Sequence, residues 1–292
     1  MDERTANRLL GYADDARLLI VNADDFGMCG SVNEAVLSVI DAGLVQSTTL
    51  MTPWPGAAEA IRTLREHPDI PFGVHLSVVC DNPDYRWGPL APADAVPSLV
   101  DESGRFHHVD HFRTIVDRVA LDELELEYRA QIDAVLAAGL RPTHLDWHCL
   151  RDGGRPDVLP MTVGLAIEHG LALRVSDRTW IDRLHADGLP AQVHDVLDSY
   201  RLDPDGKSAR YLRMLRDLPA GLSEWAVHPG LDGPDLRVLE PVTWRVRHTD
   251  YEFLVSDEAR ETIDREGIVL LSYRPLQRLW ASGRPPRTRS AR

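Results

Sequence analysis

Short apolar, β-rich runs alternate with helical patterns along most of this chain, and that alternation limits the possible fold more than any other feature. Seven such runs recur: Leu18–Ala23, Val45–Met51, Phe72–Val78, Thr143–Trp147, Ala172–Val175, Glu224–Val227 and Ile268–Ser272. Helical patterns separate several of them. Ser31 and Glu34 form an S-x-x-E pattern that reads as a capping box. Val32, Ala35, Val36, Val39 and Ile40 then repeat at helical spacing, and Gly43 suits the residue just past the helix end. Ala57–Glu66 is a second helix, stopped by Pro68. In Asp122–Ala138, Leu124, Tyr128, Ile132 and Val135 share one face and Gly139 ends the pattern. Pro160–His169 closes at Gly170. Alternation of this kind predicts an α/β fold of parallel strands with helices packed outside. Seven strands suit an incomplete (β/α) barrel or an open doubly wound sheet, and the placement of the polar residues favours the barrel.

The chain reads as a single domain over 1–276 with an insertion near 80–110, where Pro, Gly and Asp accumulate. Residues 277–292 carry Arg, Pro and Ser without an acid and are expected to be a disordered basic tail. Composition excludes several functions. Lys and Arg number 32 against 46 Asp and Glu, a net charge of −14, which argues against binding a nucleic-acid backbone or an anionic membrane. No apolar run approaches the roughly 20 residues of a membrane span. The first 17 residues lack the apolar core of a signal peptide. Three widely spaced cysteines suit a reducing compartment. A cytoplasmic protein is therefore expected.

Polar residues gather where the apolar runs end. Leu18–Val21 leads into Asn22-Ala23-Asp24-Asp25-Phe26-Gly27. His75 interrupts Gly73-Val74-His75-Leu76, and Asp146, Trp147 and His148 close the fourth run. Arg174 sits near the end of the fifth, and His228-Pro229-Gly230 follows the sixth. In parallel α/β folds this edge is where ligands bind. Each residue has a plainer reading. Asp24 and Asp25 could cap the next helix, His75 and His148 could be hydrogen-bonded core histidines, and His228 could serve a turn. Their joint placement favours chemistry.

Consecutive residues leaving a strand point in opposite directions, so Asp24 and Asp25 are expected to divide labour. One carboxylate and two histidines suit a divalent cation, which acidifies water and polarises a carbonyl. A second carboxylate can take the water's proton, and a further histidine can protonate a leaving group. Asp24, Asp25, His75, His148 and His228 supply these roles for metal-assisted hydrolysis. His107 and His111 are a competing metal pair, at the edge of the insertion rather than at a strand end. Cys149 reads as a buried, inert thiol. Trp54, Trp87, Trp147, Trp180 and Trp225 are core candidates, with Trp147 the one placed to face a sugar ring.

These motifs resemble the YdjC-like (ChbG/HpnK) family of carbohydrate deacetylases. The resemblance rests on Asn22–Gly27 followed by Asn33-Glu34-Ala35, on Gly43–Met51, on Gly73–Leu76, on Pro142–His148 and on His228-Pro229-Gly230, in order across residues 17–276. It implies an often incomplete (β/α) barrel related to the NodB-like deacetylases, acting on an N-acetylated amino sugar with a divalent metal, zinc or magnesium. It implies Asp25, His75 and His148 as metal ligands, Asp24 as general base and His228 as general acid. Asp146 is the implied orienting partner of a histidine, with Arg174, Trp147 and Asn33 around the substrate. Homodimers are expected from the same resemblance. The family often continues past the second histidine with further histidines, where this chain has Cys149-Leu150 and carries Trp147 in place of a small residue. That departure bears on substrate identity more than on reaction type. Two other readings stand beside it: a metal-dependent sugar isomerase or phosphoesterase on the same barrel, and an inactive carbohydrate-binding homologue. An isomerase usually offers more carboxylate ligands and a lysine, and this chain has the single lysine Lys207.

Overall fold

A computed structural model describes residues 2–82 and 85–283. Eight strands follow one another along the chain: β1 (Arg17–Phe26), β2 (Ser47–Leu50), β3 (Phe72–Leu76), β4 (His144–Trp147), β5 (Ala172–Leu173), β6 (Leu197–Asp198), β7 (Gly221–Val227) and β8 (Val269–Leu271). They form one parallel sheet in the order β5-β4-β3-β2-β1-β7-β6. β8 pairs with Leu18–Ile20, beside the first half of β1, while β2 takes up the second half from Asn22 onward. β5 and β6 end the order unpaired with each other, so the barrel is incomplete, as expected. β6 is the strand missing from the seven apolar runs. It is two half-buried residues inside a mixed segment, too short to show a pattern.

The strands are long or short for physical reasons. β1 is central and buried almost throughout, from Leu18 to Phe26. Such a strand reads as a continuous apolar run because both faces are covered. Helices Gly30–Asp41, Ala57–Glu66, Leu121–Ala137 and Val158–His169 pack outside, within a residue or two of the boundaries read from periodicity. Gly43, Gly139 and Gly170 all take left-handed conformations at helix ends.

The capping box does not form. Cys29 is the N-cap of the helix Gly30–Asp41, with no side-chain cap. Ser31 lies inside the first turn, and its hydroxyl and backbone N–H both donate to Asp235. A carboxylate from a distant segment thus satisfies the helix start.

The expected tail from 277 meets a helix instead, Arg274–Ser282, which buries Leu276 and Trp280. Trp280 Nε1 donates to the Pro190 carbonyl at 2.9 Å. These apolar anchors outweigh the basic composition, and residues 284–292 lie outside the described ones. Residues 80–82 and 85–110 lie between β3 and the helix Leu121–Ala137, outside the strands, and bury Trp87, Val96, Leu99 and Phe106. No helix among the described residues is long and apolar enough to cross a membrane.

One glycine shows how tightly the barrel closes around its axis. A Cβ on Gly73 would lie 2.6–2.7 Å from three atoms of the His144 ring. That ring is stacked on Tyr273 at 3.6 Å and 6° and is fully buried, so it cannot swing away. Gly73→Ala is expected to cost about 1–3 kcal/mol of stability, read as a lower denaturant midpoint. An unchanged midpoint would show that the ring has room.

Candidate active site

The site begins with an irregularity in β1. Its register against β2 runs Asn22–Ser47 and Ala23–Thr48, then resumes at Phe26–Leu50. Asp24 and Asp25 together therefore oppose Thr49 alone, which is a β-bulge. Asp25 adopts φ +69°, and Gly27 just beyond it φ +100°. The bulge re-aims the chain so that both aspartates line the same cavity, instead of facing opposite sides as strand alternation predicts. Asn33 secures this turn. Its Oδ1 accepts the Gly27 N–H at 2.7 Å, and it stands behind the cavity rather than in its lining.

The cavity holds about 560 Å³. Asp24, Asp25, His75, His148, Arg174, His228 and Trp147 all line it. The sheet thus brings seven of the nine residues singled out from the sequence to one hollow. Asp146 lies directly beneath, fully buried.

Arg174 organises the floor. Its guanidinium grips Asp24 through two bonds of 2.8 Å, reaches Asp146 at 2.9 Å and donates through Nε to Glu224 at 2.8 Å. Asp24 also accepts from Asn22 Nδ2 at 2.7 Å. Burial opposes a charge on Asp24, but Arg174 overrides it and holds the carboxyl well below the usual carboxylate range. Asp146 uses its other oxygen on His75, with Nδ1 at 2.7 Å. That contact turns His75 Nε2 toward Asp25 Oδ1, 3.3 Å away.

A second cationic group stands on the other side of Asp25. Arg247, 1% exposed, meets Asp25 Oδ2 at 2.8 Å and is itself held by Glu240 at 2.8 Å. Burial works against the Asp25 charge, and Arg247 with the two histidines keeps it ionised. Asp25 Oδ1 takes no hydrogen bond among the described residues, although it is buried. It faces His75 Nε2 and His148 Nδ1, each at 3.3 Å. His148 turns Nε2 to Asp81 and to the thiol of Cys149, which is exposed rather than buried as expected, each at 3.4 Å. Burial disfavours charge on His75, yet Asp146 and its fellow carboxylates push it up to about 10. His148 is raised well above the ordinary histidine range against the same burial penalty, by Cys149, Asp81 and Asp25.

Five carboxylates (Asp24, Asp25, Asp146, Glu224 and Glu240) thus share two guanidinium groups, and a sixth, Asp81, meets only His148. The surplus negative charge draws protons onto the histidines, and a cation would satisfy it equally well. One orphaned buried carboxylate oxygen and two imidazole nitrogens, all within 4.8 Å of one another, are the donor set a divalent ion needs. A tetrahedral ion about 2.0–2.1 Å from each would separate them by roughly 3.3 Å, the spacing seen to Asp25.

His228 approaches from the opposite wall, with Nε2 4.0 Å from Asp24 Oδ2. Its ring packs edge-on to Tyr200 at 5.2 Å. The competing pair, His107 and His111, has ring centres 4.9 Å apart, but no third ligand atom joins it among the described residues. Trp54 and Trp87 pack on each other at 4.0 Å and Trp225 is in the core, so Trp147 alone of the five named tryptophans lines the cavity. Lys207 is buried against Asp250 at 2.5 Å and does not line it. Sequence reasoning missed Asp81, Arg247, Glu240 and Glu224. Glu224, an acid opening an apolar run, was the visible signal. Arg247 and Asp81 lie in a helix and a loop, where their composition looks like ordinary surface.

Residues 18–265 match the family model described as YdjC-like protein. A carbohydrate deacetylase of Enterococcus faecalis is 30% identical over 275 residues, covering 88% of this chain and 97% of the relative. A chitooligosaccharide deacetylase of Serratia marcescens is 28% identical over 264 residues, covering 89% and 99%. A solved structure from Enterococcus faecalis V583, described as a candidate cellobiose-phosphate cleavage protein, superposes with a TM-score of 0.76 at 30% identity. The match covers 89% of this chain and 99% of that one.

Arg174 is the element most exposed to test. Arg174→Leu would leave Asp24, Asp146 and Glu224 buried without their shared cation. The expected loss is about 3–5 kcal/mol, measured by urea unfolding at neutral pH. A change below about 0.5 kcal/mol would mean the carboxylates find other partners.

Proposed function

This chain belongs to the YdjC-like family, and we propose that it is a carbohydrate deacetylase, cleaving the acetyl amide of an N-acetylated amino sugar with a bound divalent cation. The observation that carries this reading is the convergence of Asp25 Oδ1, His75 Nε2 and His148 Nδ1 beside a separate Asp24–His228 pair. Asp25, His75 and His148 would hold the cation, and two imidazoles favour zinc over magnesium on ligand softness. When bound, it supplies Lewis acidity, polarising the acetyl carbonyl and acidifying water.

The chain's own residues do the rest. Asp24, kept ionised and in one orientation by Arg174, accepts the proton of the attacking water. Its lowered basicity would suffice toward a water that a bound cation had made more acidic. Water adds to the acetyl carbon, the C–N bond breaks, and His228 delivers a proton to the departing amine. The products are acetate and a free amino sugar. Asp146 donates nothing to substrate; it fixes His75 from behind. Trp147 forms an apolar wall suited to a sugar face. The buried position of Lys207 removes the lysine that an isomerase would use.

Acetate release from N-acetylglucosamine oligomers tests this directly. Asp24→Asn should lower turnover by about 10²–10⁴-fold and still bind the cation, whereas His75→Ala should lose the cation itself. A His75→Ala protein with full metal content and normal turnover would overturn the ligand assignment.

A further inference from the structure

Behind His228 lies a buried polar cluster that the reaction as drawn does not use. Asp250, on the helix Trp244–Leu254, is fully buried, and so are Ser199 and Tyr211, with Lys207 1% exposed. The topology assembles it. β6 pairs with β7 through Leu197–Trp225 and Asp198–Ala226, so Ser199, next after β6, and His228, next after β7, leave the sheet close together.

Four donors converge on the Asp250 carboxylate. Lys207 Nζ lies 2.5 Å from Oδ1, and the Tyr211 hydroxyl donates to the same oxygen. Ser199 Oγ donates to Oδ2 at 2.5 Å, and the His228 backbone N–H to Oδ2 at 2.9 Å. Burial pushes the Tyr211 phenol well up, so it keeps the proton it donates. A carboxylate serving four donors only accepts. The single hydroxyl proton of Ser199 is therefore committed to Asp250. Ser199 Oγ also stands 3.0 Å from His228 Nδ1, and toward that nitrogen it has only lone pairs to offer. His228 Nδ1 must then carry the hydrogen of this contact.

We propose that Ser199, anchored by Asp250, is a positioning residue that fixes His228 as the Nδ1–H tautomer and leaves proton exchange to Nε2. Nε2 is the nitrogen that faces Asp24 across the cavity. The relay moves no proton of its own; it orients the ring and stabilises the imidazolium through a neutral hydroxyl tied to a buried carboxylate. This inference rests on His228 acting as the general acid.

The test pairs kinetics with a spectroscopic reading. Long-range proton–nitrogen NMR on the labelled, metal-loaded enzyme reads the His228 tautomer, assigned by the signals lost in His228→Gln. With the His228 ring neutral, at alkaline pH, the wild type should show Nδ1–H alone, and Ser199→Ala a mixture of both tautomers. Turnover of Ser199→Ala should fall about 10- to 100-fold with KM and metal content unchanged, and Ser199→Thr should restore both tautomer and rate. An unchanged tautomer in Ser199→Ala overturns the proposal, whether or not turnover falls, because the residue would then be only structural. The tautomer is read without substrate. Failure of the deacetylase reading would instead appear as no acetate from the wild type.

Discussion

The guanidinium of Arg174 is the contact on which the site depends. It follows β5 and ties together β1, β4 and β7 by bonding to Asp24, Asp146 and Glu224 at once. Three buried carboxylates without a cation would repel one another and face a desolvation penalty of several kcal/mol each. With Arg174 among them, their geometry becomes fixed. Asp24 is clamped in one plane, and Asp146 is freed to hold His75 by its other oxygen. Orientation at the cavity surface is thereby inherited from a charge network one layer below.

That network is deliberately short of positive charge. Arg174 and Arg247 offset only part of six acids, and the balance is left facing Asp25 Oδ1, the oxygen without a hydrogen-bond partner among the described residues. The net charge of −14 says little by itself, since most of the acids stand on helices and loops away from the cavity. The few placed at the bulge of β1 and the end of β4 produce a field that a cation relieves. Backbone strain is spent at the same place. Among the described residues, the three non-glycine ones with left-handed backbone, Asp25, Cys149 and Asp152, all line this cavity.

Much of this was legible in the residues themselves. Strand and helix periodicities located seven of the eight strands among the described residues, and histidines or acids at the ends of apolar runs pointed to the edge of the sheet where the cavity lies. The bulge was not legible, because two adjacent aspartates after a strand look the same whether they alternate or are re-aimed together. The Ser31–Glu34 pattern misled because a distant carboxylate, Asp235, reaches the helix start first. Arg247 and Asp250 were invisible for a related reason. Charged residues on a helix resemble surface until the tertiary fold buries them, and only pairing with Asp25 or Lys207 makes that burial tolerable. Local rules fail where long-range electrostatics decide, and here those places are the site.

The central claim is that one divalent cation, held by Asp25, His75 and His148, makes the cavity a deacetylase. The most direct measurement follows acetate release from an N-acetylated amino sugar while the chelated protein is titrated with zinc. Activity should be absent without metal and rise linearly to a plateau at one ion per chain. Full acetate release from protein shown to be metal-free would contradict it.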